Sequence, residues 1–181
     1  MKEIRIHARA GQGAITVANL LGAAAVSEGR YALAFPHFGA ARMGAPMNAF
    51  VRVADAPIRM RSQVYEPDYI LVVDPTLVGP YDVFAGLKPG GVAVVNSASS
   101  DGMEVPEGAS AVCVPAGDIA EEVLGRREFA NTAILGAFSA ATGLISLESV
   151  EKVIAERFAG RLAETNIEAA RRGYRFVESA K

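Results

Sequence analysis

The sequence predicts an α/β fold, a single Rossmann-like domain with a mostly parallel sheet and C-terminal helices. Three observations carry this. The chain opens with an alternating strand, a glycine turn and an apolar helical run between Lys2 and Ala25. A nearly pure apolar run, Tyr69 to Asp74, has the composition of a central parallel strand buried on both faces. Strand-like and helical segments alternate until about residue 130, after which the pattern is helical to the end.

The first element, Lys2 to His7, alternates polar residues with Ile4 and Ile6 and reads as a strand. Ala10-Gly11-Gln12-Gly13 then makes a tight turn, and Ala14 to Ala25 continues as a helix. The first backbone N–H groups of a helix have no partner inside it, so strand, turn and helix N-terminus form a potential anion cradle. The dinucleotide pattern Gly-x-Gly-x-x-Gly is incomplete, because Thr16 occupies the third glycine position and no acid ends the next strand to hold a ribose. From this segment alone, a turn that merely packs strand against helix is at least as good a reading as a phosphate site. The helix is apolar on most sides and is expected to be covered on more than one of them.

Tyr31 to Phe35 is the second strand. A loop from Pro36 to Pro46 follows, rich in Gly and Pro and carrying His37 and Arg42, and loops of that length in a compact domain are often functional. Met47 to Val53 alternates as a third strand. Tyr69 to Asp74 is the fourth, with Asp74 at the carboxyl end, where ligand-facing residues emerge in open α/β sheets, or where an acid caps the next turn. A short helix is predicted over Asp82 to Leu87, strands over Val92 to Asn96 and Ala111 to Pro115, and a helix over Ile119 to Leu124 capped by Asp118. Asn131 to Thr142 is a small-residue helix, Ser146 opens another to Phe158, and the last runs from Leu162 to Ser179. The arginines of that last helix, Arg171, Arg172 and Arg175, read as a solvated or partner face.

With 181 residues, half of them hydrophobic, the chain suits one domain spanning 1–181, and the apolar excess suggests buried subunit contacts. No apolar run reaches the length of about 18 residues that spans a bilayer, and no secretory signal opens the chain, so a cytoplasmic protein without membrane contact is expected. The single cysteine, Cys113, cannot form an internal disulfide, an iron–sulfur cluster or a zinc site on its own. Residues 1–65 hold eight Lys/Arg against three Asp/Glu, a net +5, and residues 66–181 hold ten against seventeen, a net −7. A basic first half suits an anionic ligand near the first loops. Nucleic acid is disfavoured, because no aromatic residues alternate with the basic ones. No nucleophile elbow, metal-ligand spacing or carboxylate pair is present, and His7 and His37 lack a carboxylate within their own segments. A cradle without a catalytic set points to one subunit of a larger assembly.

His7-Ala8-Arg9-Ala10-Gly11-Gln12-Gly13, Ala34 to Gly39, Arg42, Gly44-Ala45-Pro46 and Asn131 to Ala137 together resemble the gamma subunit of the 2-oxoacid:acceptor oxidoreductases, the pyruvate:ferredoxin type. The likeness runs through Thr142 to Glu148 and Asn166 to Tyr174. It implies a complex that oxidatively decarboxylates a 2-oxoacid to its acyl-CoA, with alpha, beta and ferredoxin-like delta subunits as partners. Ferredoxin or an NAD-reducing subunit would accept the electrons. Thiamine diphosphate and the iron–sulfur clusters would sit in the partners, and this chain would lie on the coenzyme A side. That role falls on Arg9, Gly11, Gln12 and Gly13, with His37 and Arg42 as an extension.

The family pattern Gly-Arg-Gly-Gly-Gln-Gly is altered here at Ala8 and Ala10, which resist positive φ and call for a more ordinary or slightly wider loop path. His37 stands where the family has serine, and Met43 where it has a second arginine, changes that permit a bulkier or aromatic 2-oxoacid. The competing readings are a stand-alone nucleotide-binding oxidoreductase domain and a purely structural subunit.

Overall fold

The computed structural model describes residues 1–37 and 42–181. Phe38 to Ala41, which belong to the expected loop and to one motif of the resemblance, lie outside the described residues. Six strands form one sheet in the order β2-β3-β1-β4-β5-β6. They are β1 (Lys2–Arg9), β2 (Tyr31–His37), β3 (Pro46–Ala54), β4 (Tyr69–Val72), β5 (Val92–Asn96) and β6 (Ser110–Val114). β1, β4, β5 and β6 pair in parallel, whereas β3 runs antiparallel between β1 and β2. The mostly parallel sheet is therefore as expected, and β4 is central and fully buried at Ile70, Leu71 and Val72.

Among the described residues the α-helices are α1 (Ala14–Ser27), α2 (Ala116–Leu124), α3 (Asn131–Thr142), α4 (Leu147–Arg157) and α5 (Gly160–Glu178). All contribute to one core against one face of the sheet, where Ile4, Ile6, Val51, Leu71 and Val94 point. α1 is buried on several sides, as its composition requires. Ser146 accepts a hydrogen bond from the Ser149 N–H and caps α4. α3 and α5 cross at closest approach through Gly136 and Gly173. A Cβ on Gly136 would collide with the Ala170 carbonyl, and one on Gly173 with the Ala133 carbonyl. No helix among the described residues is long and apolar enough to cross a membrane.

Among the described residues the opposite face carries no α-helix, only the short 3₁₀ turn Pro75–Leu77. Ile70, Val72, Ala93 and Val95 are covered there by Leu77, Val83, Phe84 and Leu87 from the connection between β4 and β5. The helix expected over Asp82 to Leu87 is instead a run of turns. Its apolar spacing is satisfied by burial, but the carbonyls of Val83 and Ala85 turn inward and accept hydrogen bonds from the Arg5 guanidinium. Gly86, at a left-handed φ of 70°, breaks the helical path in the same segment. Cys113 lies half-buried on this face beside the Met103 sulfur, and burial pushes its thiol up.

Two further boundaries differ from expectation. β2 extends to His37, which therefore ends a strand instead of sitting in a loop. α2 begins at Ala116, after Pro115, and Asp118 is not its cap. Proline fixes a φ suited to the start of a helix, and Asp118 in the first turn pairs with Arg127.

Candidate functional site

β1 delivers the chain to the carboxyl end of the sheet at Arg9. The turn beyond it has positive φ at Gly11 (102°) and Gly13 (81°), and no other residue type among those described has positive φ. Ala8 stays in the strand and Ala10 takes an ordinary backbone path, which is how the turn accommodates the two alanines. Space matters as much as φ here. A Cβ on Gly13 would stand 2.5 Å from the Asn131 side-chain nitrogen, and one on Gly11 would stand 2.7 Å from the Met43 sulfur.

A polar network locks the turn. The Gln12 side-chain oxygen accepts from the Arg9 N–H at 2.8 Å, and its amide donates to Asp74 at 2.7 Å. Arg9 lies 3.2 Å from the same carboxylate and donates to the Thr76 hydroxyl at 3.0 Å and the Gly44 carbonyl at 3.2 Å. Thr76 in turn donates its hydroxyl and its N–H to the other Asp74 oxygen. Asp74 caps the turn at Pro75–Leu77, as one of its two readings expects, and its other oxygen faces the glycine loop through Gln12 and Arg9. Burial alone would raise its pKa. The Thr76 hydroxyl, the Gln12 amide, the Thr76 N–H and the Arg9 charge outweigh that and hold it below the usual carboxylate range. Backbone bonds from Ala10 to Ala45 and from Gly44 to Ala10 bind the loop before β3 to the same turn.

Beside this network a cleft of about 360 Å³ opens at the carboxyl ends of β4, β5 and β6, lined by Gln12, Asp74, Asn96, Gly117, Arg127 and Ala130 among others. Asn96 forms its floor, donating to the Val73 carbonyl and accepting from the Gly117 N–H, both at 2.9 Å. Three helices begin around it: α1 after Gly13, α2 after Pro115 and α3 after Ala130. None has a side-chain cap on its N-cap residue. The turn before α1 and the starts of α2 and α3 border one space, although the Gly117 N–H there is taken by Asn96 and the Thr132 N–H by the Asn131 side chain. Of the carboxylates at the cleft, Asp74 pairs with Arg9, Asp118 shares Arg127 with Glu121, and Glu128 faces Arg126. The positive ends of the helix starts favour an anion-bearing ligand.

Residues 3–176 match the pyruvate ferredoxin/flavodoxin oxidoreductase family. The chain belongs to this family. It is similar to the pyruvate/ketoisovalerate oxidoreductases common subunit gamma of Thermococcus kodakarensis, at 49% identity over 96% of both chains. It is also similar to the pyruvate synthase subunit PorC of Methanothermobacter thermautotrophicus, at 48% identity over 100% of this chain and 98% of that one. The crystal structure of the pyruvate oxidoreductase subunit PORC from Thermotoga maritima is 38% identical, with a TM-score of 0.85 over 96% of this chain and 95% of that one.

Within this gamma-type chain, Arg9, Gly11, Gln12 and Gly13 are brought together, and His37 is not with them. His37 lies at the end of β2 on the helix-free face, where it shares a separate hollow of about 340 Å³ with His7, Asn48, Tyr81 and Asp82. Arg42 is exposed, and its carbonyl accepts from the Ala45 N–H. His7 is buried and accepts a 3.0 Å hydrogen bond from Arg5. Burial, reinforced by the Arg5 charge, pushes it down to about 3 against weaker opposing bonds to Val83 and Asn48, so its imidazole is neutral. Thr76, Asn96, Asn131 and Arg127 were not singled out as site residues from the sequence. Asn96 at the end of an apolar strand carried a readable signal, whereas the others become visible only when the loops meet.

Proposed function

We propose that this chain, as the gamma subunit of a 2-oxoacid:ferredoxin oxidoreductase, supplies the seat for the phosphates of coenzyme A. The observation that carries the reading is the gathering of the glycine turn before α1 and the starts of α2 and α3 around one cleft. Coenzyme A offers a diphosphate and a 3′-phosphate, and helix N-termini bind such groups through backbone N–H donors and the helix dipole. Gly11 and Gly13 allow close backbone approach. Arg9 and Gln12 hold the turn in shape and keep Asp74 neutralised, so the acid does not repel the ligand. The chain's role is then binding and orientation, presenting the coenzyme A thiol to a partner subunit. Thiamine diphosphate and iron–sulfur clusters, held by the alpha, beta and delta partners in this reading, supply decarboxylation and electron transfer to ferredoxin or an NAD-reducing subunit. His37 and Arg42, on the other side of the network, are assigned a secondary contact with the distal part of the ligand or with a partner.

The test is anaerobic purification of the complex through this chain, followed by titration with coenzyme A, dephospho-coenzyme A and NAD. Coenzyme A is expected to bind, with dephospho-coenzyme A weaker. Gly13→Ala, and Arg9→Ala which leaves the glycines alone, should each weaken it by about 1–3 kcal/mol. Unchanged affinity in both variants, or binding of NAD in preference, overturns the reading. A panel of pyruvate and branched and aromatic 2-oxoacids then identifies the substrate.

A further inference from the structure

The connection between β3 and β4 carries a surface that the coenzyme A reading leaves unused. After β3 the chain runs through residues 57–63 without helix or strand. It is held by Arg52, whose side chain is 1% exposed and among the largest fully buried in the protein. The Arg52 guanidinium donates to Glu3 at 2.8 Å and to the backbone carbonyls of Met60, Ser62 and Gln63 at 3.2, 2.7 and 3.3 Å. Its face lies over Phe35, 5.6 Å from the ring centroid. With the backbone turned inward onto one arginine, the side chains of Arg59, Met60 and Arg61 are exposed, Met60 at 51%, and Tyr65 nearby is 70% exposed.

Two features together mark this patch. Arg59 and Arg61 have no carboxylate within 4 Å among the described residues, a trait shared with Arg42, Arg157 and Arg161 but not with Arg171, Arg172 and Arg175 of α5, which are each paired with a glutamate. Large apolar side chains also stand between and beside the unpaired cations on a backbone that is already fixed, so ordering them on contact costs little. A second copy meeting this segment patch to patch is a poor occupant, because a two-fold axis through it would set like charges against each other.

We infer that the Arg59–Met60–Arg61 segment, with Tyr65, is a docking surface for an acidic, partly apolar face of another subunit of the complex. The inference rests on the reading of this chain as a subunit. Carboxylates of the partner would pair with the two arginines around a buried Met60.

The experiment uses the complex assembled in the host and recovered through a tag on this chain. Arg59→Glu/Arg61→Glu is expected to leave the melting temperature of the isolated chain unchanged and to cut the recovered partner by about tenfold or more. Arg59→Lys/Arg61→Lys retains most of it. A photo-crosslinking residue at position 60 should join one partner subunit within a segment rich in Asp and Glu. Normal assembly of the charge-reversed chain, crosslinks to a second copy of this chain, or Met60 as open to oxidation in the complex as in the free chain overturns the inference and leaves the subunit reading intact. If the unaltered chain recovers no partner at all, the subunit reading itself fails.

Discussion

The two faces of the sheet are buried by different chemistry. One face is covered by five helices, whose backbones satisfy their own hydrogen bonds and need contribute only apolar and small side chains. The other is covered by irregular chain, whose carbonyls have no ladder to join. There the sheet supplies two buried arginines. Arg5 reaches Val64, Tyr65, Val83 and Ala85, and Arg52 reaches Met60, Ser62 and Gln63. A guanidinium presents five N–H donors in a fixed fork, so one side chain replaces what a turn of helix would do for itself. The comparison teaches that burial of a loop layer is a hydrogen-bonding problem before it is a hydrophobic one.

The helical face breaks most sharply by steric insertion. Gly136→Leu places a side chain into the Ala170 backbone, where no flexible neighbour can yield, and should cost about 4 kcal/mol or more, read by denaturant unfolding. The loop face breaks by removing a donor set. Arg52→Met conserves apolar bulk but strands Glu3 and three carbonyls, and should cost about 3 kcal/mol. Faster amide exchange confined to the segment around residues 57–66 would accompany it, while the helical core keeps its protection. If Arg52→Met proved neutral, the distinction between the two faces would collapse. The last test, whose effect is spread over several pH units, sharpens the comparison through pH. The unfolded imidazole of His7 takes up a proton near 6.5, whereas the folded one resists until about 3. The unfolded chain therefore binds more protons between those values, and stability falls as pH drops through that window, by up to about 1.4 kcal/mol per pH unit from this group. His7→Gln should remove that part of the slope and leave the carboxylate contribution at lower pH, measured by unfolding at stepped pH.

What the sequence disclosed follows the same division. Alternation located β1 and β3, and the apolar run at Tyr69 located β4, because strand periodicity is local. Arg5 and Arg52 alternate with apolar neighbours just as solvent-facing residues do, so nothing local marks them as buried. Val83, Phe84 and Leu87 have helical spacing, but Gly86 takes a left-handed φ of 70° and the Val83 and Ala85 carbonyls serve Arg5, so the segment forms turns. The position of β3 between β1 and β2 is likewise a matter of pairing, not pattern. At the site, the glycine turn and Asp74 were legible, the first as a motif and the second from its place at a strand end. Their meeting across more than sixty residues, and the gathering of α2 and α3 at the same cleft, depend on the sheet order. His37 was readable as a loop residue near the turn, yet β2 carries it to the other face.

Arg9 holds the strand end, the loop before β3 and the turn after β4 with one side chain. A knot shared by three connections cannot be retuned one strand at a time. A change in the length or composition of any of these loops displaces the contacts of the other two. Asp74 and Thr76, which meet Arg9 through their side chains, are thereby tied to it, whereas Gly44 offers a backbone carbonyl that any residue supplies.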